Sequence, residues 1–136
     1  MFENADRKTI DNAVADPLTY AHPERYHDLF AWLRKNDPVR WVEPDGYRPF
    51  WVVSKHADIM EVEKQNDIFL NDPRLTLQTV ETEQAVLDYT GGSHHIVRSL
   101  VDMDNPDHRN YRGLTQAWFM PPNLKKLKAD IGDLAR

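Results

Sequence analysis

The chain of 136 residues carries 17 lysines and arginines against 22 aspartates and glutamates, a net charge of −5, which argues against a nucleic-acid binder held by a strongly basic surface. It contains no cysteine, so disulfides, cysteine zinc sites, iron–sulfur clusters, a thiol nucleophile and thiolate ligation of haem are excluded from within this chain. Its length suits about one domain with a real core, and no apolar run approaches the roughly 20 residues that cross a bilayer.

The opening Met1-Phe2-Glu3-Asn4-Ala5-Asp6-Arg7 has early acids and no apolar h-region. No signal peptide is expected from it, and the default location is cytoplasmic. Residues 1–20 read as a loose lead-in with a short helical piece. Pro23 then opens a helix over 23–35, where Tyr26, Leu29, Phe30 and Leu33 fall at i, i+3, i+4 and i+7. Asn36-Asp37-Pro38 ends it, because the residue before proline is pushed out of the helical region.

Val39–Glu43 and Pro49–Val53 read as two strands joined by the turn Pro44-Asp45-Gly46. Trp41 and Trp51 are read as cross-strand core contacts. Such a hairpin is marginal alone and needs more sheet or a covering helix. Ser54 is the expected N-cap of a helix through Lys55–Lys64, with Glu61 and Glu63 facing water. Residues 66–74 are turn-rich, and a short helix near 81–89 is broken by Thr90-Gly91-Gly92-Ser93. Asn105 is the expected N-cap of a helix running to Met120, with Pro106 in its first turn and Asp107 complementing the dipole. A last helix begins near Asn123, with Leu124, Leu127, Ile131 and Leu134 spaced 3, 4 and 3, a stripe still in phase at Arg136.

His108 and Arg112 are four residues apart, on one helical face and about one turn from each other. Arginine offers a planar fork suited to carboxylate or phosphate, and histidine a charge-tunable donor. Leu100, Val101, Met103, Leu114, Trp118 and Phe119 around them are apolar. A cationic pair in an apolar wall suits a flat apolar ligand with anionic arms. The competing reading is a solvated face whose His108 and Arg112 pair with Asp104 or Asp107.

The stretch Ser99 to Arg112 resembles the segment leading into the C helix of bacterial cytochrome P-450 enzymes, a Met-Asp-Pro-Pro-Glu-His-x-x-(Tyr/Leu/Phe)-Arg run. Met103, Asp104, Pro106, His108, Tyr111 and Arg112 match; Asp107 stands where Glu is usual, and Asn105 where the first Pro is usual. The continuation to Phe119-Met120-Pro121 looks like the family's Phe-x-Pro ending. The helix over 23–35 looks like helix A, the hairpin like the first two strands, 55–62 like helix B, and Phe69–Arg74 like the stretch after it. Order and spacing agree from about residue 16 to 136.

The resemblance implies a mainly α fold with a small β-sheet (α+β): helices A, B, B′ and C, the start of D and the first β-hairpin of the cytochrome P-450 fold. Residues 1–136 are then expected to be an incomplete N-terminal portion of a single domain, and residues 75–100 its B–C loop region. It implies haem b as cofactor, with His108 and Arg112 on the haem propionates, by the stronger charge-assisted kind of hydrogen bond. Val86, Leu87, Ile96, Val97 and Leu100 are implied as substrate-pocket residues, with ordinary core as their alternative reading. The reaction implied is hydroxylation of an apolar small molecule, such as a terpenoid, steroid or fatty acid, with O2 and electrons from a ferredoxin-type donor. The family's iron ligand is a cysteine in a Phe-x-x-Gly-x-x-x-Cys-x-Gly loop far downstream. That loop is absent from this chain, so the chain alone is not expected to be active.

Two other readings stand beside this one: a small non-catalytic helical module that captures an anionic ligand with His108 and Arg112, and a non-functional truncated product. His94-His95 lacks a third ligand at a compelling spacing for zinc, and a loop or cavity-lining role is expected. His22 and His27 are expected at the surface. Lys125, Lys126 and Lys128 read as a solvated helix face. Neither a nucleic-acid partner, a membrane span nor a metal ligand is expected.

Overall fold

The computed structural model describes residues 2–135, apart from the side chains of Lys126 and Ala129. The chain forms two compact units: Met1–Phe69 with Thr76–Ile96, and Leu70–Leu75 with Val97–Arg136.

The first unit begins where a loose lead-in with a short helical piece was expected. Helices α1 (Arg7–Ala15) and α2 (Pro17–Ala21) occupy that stretch. Asp6 caps α1 by accepting the Thr9 amide at 2.7 Å, and this bond holds its carboxyl below the ordinary carboxylate range. Asp16 ends α1 and caps α2 through the Leu18 amide at 3.0 Å. Ile10, Ala13 and Val14 are buried at helical spacing. The polar pair Asp11-Asn12 interrupts that stripe in the sequence and hides it.

Helix α3 (Pro23–Asn36) matches its expectation, with Leu29 and Leu33 fully buried and Phe30 packed at the edge of the core. Strands β1 (Val39–Val42) and β2 (Phe50–Val53) pair antiparallel in the register Val39↔Val53, Arg40↔Val52, Trp41↔Trp51 and Val42↔Phe50. Phe2, Ile10, Ala13, Val14, Leu29, Leu33, Val42 and Val52 form one core. The tryptophan rings do meet across the strands, centroids 5.2 Å apart. They do not belong to the core, because alternation turns them outward and leaves Trp51 61% exposed.

Alternation also turns Arg40 inward. Its guanidinium donates to Asp11 Oδ1 at 2.9 Å and to Asp37 Oδ2 at 2.8 Å, and Asp11 is 2% exposed. Asp11 Oδ2 also accepts the Glu43 amide at 3.2 Å. A buried charge requires such multiple partners, because desolvation of a lone one is costly. The turn after β1 is likewise tied to α1: Lys8 meets Asp45 at 2.6 Å, and Asn12 exchanges two 2.9 Å hydrogen bonds with Asp45. Gly46 sits at φ 78°, a backbone state that a side chain would strain.

Ser54 is not the cap expected of it. Its hydroxyl donates to the Pro38 carbonyl at 3.1 Å, closing the strand pair, and helix α4 (His56–Glu63) starts after Lys55 with no side-chain cap. Glu61 and Glu63 are exposed as expected. Helix α5 (Val80–Thr90) lies near the expected 81–89, capped by Thr79 and ended by Gly91 at φ 71°.

The second unit holds a 3₁₀ turn at Leu100–Asp102, helix α6 (Asp107–Gln116), a second 3₁₀ turn at Ala117–Phe119 and helix α7 (Pro121–Leu134). Asn105 does not cap α6. The Asn105-Pro106 peptide is cis, Pro106 occupies the cap position, and no side chain caps the helix. The helix gives way to the 3₁₀ turn before Met120. Leu124, Leu127 and Ile131 of α7 are 45%, 53% and 57% exposed. Lys125 and Lys128 are exposed, while the Lys126 side chain and Arg136 lie outside the described residues.

Candidate functional site

Helix α6 carries the expected pair. Its first backbone bonds run from the His108 amide to the Asp104 carbonyl at 2.9 Å and from the Asn110 amide to the Pro106 carbonyl at 3.2 Å. His108 is half-buried and Arg112, one turn on, is exposed.

The two acids that competed for this pair are engaged elsewhere. Asp107 meets Arg98 at 3.1 Å. The Asp104 carboxylate accepts the Asn71 amide at 3.0 Å, the Asp72 amide at 2.9 Å and Asn71 Nδ2 at 3.3 Å. These backbone bonds, with the nearby His108 as the smallest contribution, hold the Asp104 carboxyl below the ordinary carboxylate range. Among the described residues no carboxylate lies within ion-pair distance of Arg112. A planar five-donor cation is therefore presented, next to a half-buried imidazole, with its bonding capacity unspent. The surrounding wall is apolar and open: Leu114 is 75% exposed and Trp118 74%. That donor set fits the paired carboxylates of a haem edge, so the residues present suit the implied cofactor.

The five expected pocket residues are spread through both units. Val86 and Leu87 are half-buried on α5, and Ile96 is exposed at the end of the same unit. Val97, exposed, and Leu100, half-buried, belong to the second unit. None of them lines the open groove of about 460 Å³ in the first unit, which Trp32, Arg40, Trp41 and Trp51 border. Leu100 is set by the 3₁₀ turn, where Asp102 Oδ2 accepts the Ser99 amide at 3.0 Å. His94 and His95 are half-buried beside Ser93, whose hydroxyl accepts the His95 amide at 3.1 Å. Among the described residues no group of three or more His, Asp or Glu side chains gathers as a metal site.

Sequence reasoning missed the Asp104 clamp, the Arg98–Asp107 pair and a pair between Arg48 and Glu83 at 2.6 Å. Partners 9 to 35 positions apart, at no helical spacing, leave no local signal. Only the burial of a helical glutamate, visible once folded, marks the last of them.

Cytochrome P-450-terp of a Pseudomonas species is 36% identical over 128 residues, covering 93% of this chain and 30% of that protein. The crystal structure of CYP108D1 from Novosphingobium aromaticivorans superposes with a TM-score of 0.86 at 42% identity, covering 94% of this chain and 32% of that one. The chain belongs to the cytochrome P-450 family.

A steroid C26-monooxygenase of Mycolicibacterium smegmatis is also similar, 27% identical over 121 residues. The chain spans 30% and 25% of the length of these two curated relatives. No protein-family model matches it. The helical chain with its β1–β2 hairpin matches the N-terminal part of the cytochrome P-450 fold, as expected. Among the described residues no helix is long and apolar enough to cross a membrane.

Proposed function

We propose that this chain is the N-terminal portion of a haem-thiolate monooxygenase that hydroxylates an apolar small molecule with O2 and electrons from a ferredoxin-type donor. In this reading residues 1–136 are part of one catalytic domain. His108 and Arg112 hold the two haem propionates. The observation that carries the reading is Arg112 on α6, one turn from His108 and without a carboxylate partner among the described residues.

Haem, held by a cysteine outside this chain, supplies the oxygen-activating centre when bound. The work of the present residues is to orient and neutralise. Arg112 and His108 would donate charge-assisted N–H bonds to the propionate carboxylates and neutralise them. Asp104, anchored to Asn71 and Asp72, holds the chain just ahead of α6 and so the height at which His108 enters. Val86, Leu87, Ile96, Val97 and Leu100 of the B–C loop region are the apolar residues offered to the substrate. A terpenoid, steroid or fatty-acid-like substrate suits that lining. The similar proteins named for terp and for steroid C26 oxidation support the first two classes.

The reading is tested first by sequencing the reading frame beyond Arg136. Continuation to a Phe-x-x-Gly-x-x-x-Cys-x-Gly loop is expected; a stop codon, with the isolated chain folding cooperatively, favours an anion-binding module instead. In the extended protein, haem titration of Arg112→Ala and of His108→Ala is expected to show affinity weakened about 10-fold or more each, the scale of a lost charge-assisted hydrogen bond. Unchanged affinity in both variants sinks the propionate assignment.

A further inference from the structure

The tip of the hairpin and helix α5 are joined outside the β1–β2 ladder. Tyr47 forms an antiparallel bridge with Thr79, and the Val80 amide donates to the Gly46 carbonyl at 2.9 Å. One turn further along, Arg48 Nε donates to Glu83 Oε2 at 2.6 Å. Glu83 is 7% exposed, although Glu81, Thr82, Gln84 and Ala85 around it are all exposed. An acid in the first turn of a helix complements the dipole without being buried, as Glu81 does. The burial of Glu83 therefore needs a different cause, and a carboxylate withdrawn from water requires a cation beside it.

The hairpin side of this contact is tied to α1. Asp45, three residues before Arg48, is fastened to α1 by Lys8 and Asn12. The path runs from the core helix through the turn to Arg48 and from there to α5. On α5, Val86 and Leu87 stand three and four residues beyond Glu83, on the same helical face.

We propose that the Arg48–Glu83 pair is a latch that fixes the placement of α5 and thereby the shape of the apolar wall that Val86 and Leu87 give to the substrate. Both are positioning residues. The proposal deepens, and rests on, the reading of residues 75–100 as the B–C loop region of a monooxygenase. The latch decides which ligand shapes fit, and it leaves the haem contacts of α6 alone.

Amide hydrogen exchange of the protein from the extended reading frame, followed by mass spectrometry, reads the latch directly. In Arg48→Ala and in Glu83→Gln, residues 82–90 are expected to exchange about 10-fold faster or more, with α3 unchanged. Arg48→Lys is expected to restore most of the protection. Unchanged exchange in α5, or faster exchange spread equally through α3, overturns the latch.

The second measurement uses the haem-loaded protein from the extended reading frame, with adamantanone as a bulky probe and decanoic acid as a slim one. The ratio of their affinities is expected to shift at least about threefold in Arg48→Ala and to return in Arg48→Lys, at constant haem affinity. A loosened α5 with an unchanged ratio overturns the link to substrate shape. Failure of the monooxygenase reading itself looks different: no haem is taken up by the wild-type protein, while the exchange result is unaffected.

Discussion

Leu29 and Leu33 of α3 are fully buried, whereas Leu124, Leu127 and Ile131 of α7, set at the same helical spacing, stand about half exposed. The first unit closes its stripe: α1, α3 and the hairpin each contribute a face, and eight side chains form one core. In the second unit nothing among the described residues covers the α7 stripe. Periodicity in a sequence thus fixes which face of a helix is apolar; it does not state what lies against that face.

This contrast can be broken by substitution. The largest effect is expected from Asp11→Ala, which strips a carboxylate from the buried Arg40 and so costs about 3–5 kcal/mol of unfolding free energy. Leu33→Ala opens a cavity in the same unit and is expected to cost about 2–5 kcal/mol. In the 136-residue chain, Leu127→Ala on α7 is expected to stay within about 0.5 kcal/mol, as surface substitutions do. Urea denaturation followed by circular dichroism measures all three. A Leu127→Ala loss equal to that of Leu33→Ala would erase the distinction between the two stripes.

A smaller effect separates the units by acid. Asp104 in the second unit and Asp45 in the first both have carboxyls held below the ordinary value of 3.8, the first by backbone amides of Asn71 and Asp72, the second by Lys8 and Asn12. A depressed carboxyl stabilises the fold above its ordinary value and loses that contribution as pH falls through the lowered folded value. The amide signals of Asn71 and Asp72 are therefore expected to hold steady down to about pH 4 and to shift below it. An Asp104→Asn variant is expected to show the shifted positions at every pH. Movement of these signals between pH 5 and 7 contradicts the clamp.

The legible part of the fold follows from local rules. Proline at Pro23, the stripe through Leu33, the Pro44–Gly46 turn and Gly91 each act over a few residues, and each lies where the sequence indicates. The extent and buried face of α1 are not legible because its buried Asp11 looks like a polar interruption, and a salt bridge to Arg40, 29 positions away, makes that burial possible. Ser54 and Asn105 have good capping chemistry, yet Ser54 is drawn to the Pro38 carbonyl and Asn105 precedes a helix that begins later. Spacing puts His108 and Arg112 on one helical face, and the flanking residues from Met103 to Tyr111 make that pair a site candidate. That its nearby acids are occupied by Arg98 and by the 71–72 backbone depended on contacts no spacing encodes.

The facing tryptophans of the hairpin give the first unit a built-in optical reporter. Two indoles 5.2 Å apart and tilted by 59° couple their excited states, so the folded strand pair carries an exciton signature in near- and far-ultraviolet circular dichroism. A one-residue register slip would move one ring to the opposite face of the sheet and abolish it. Trp32 and Trp118 are not in this pair, so the coupling of Trp41 with Trp51 reports the pairing of the two strands.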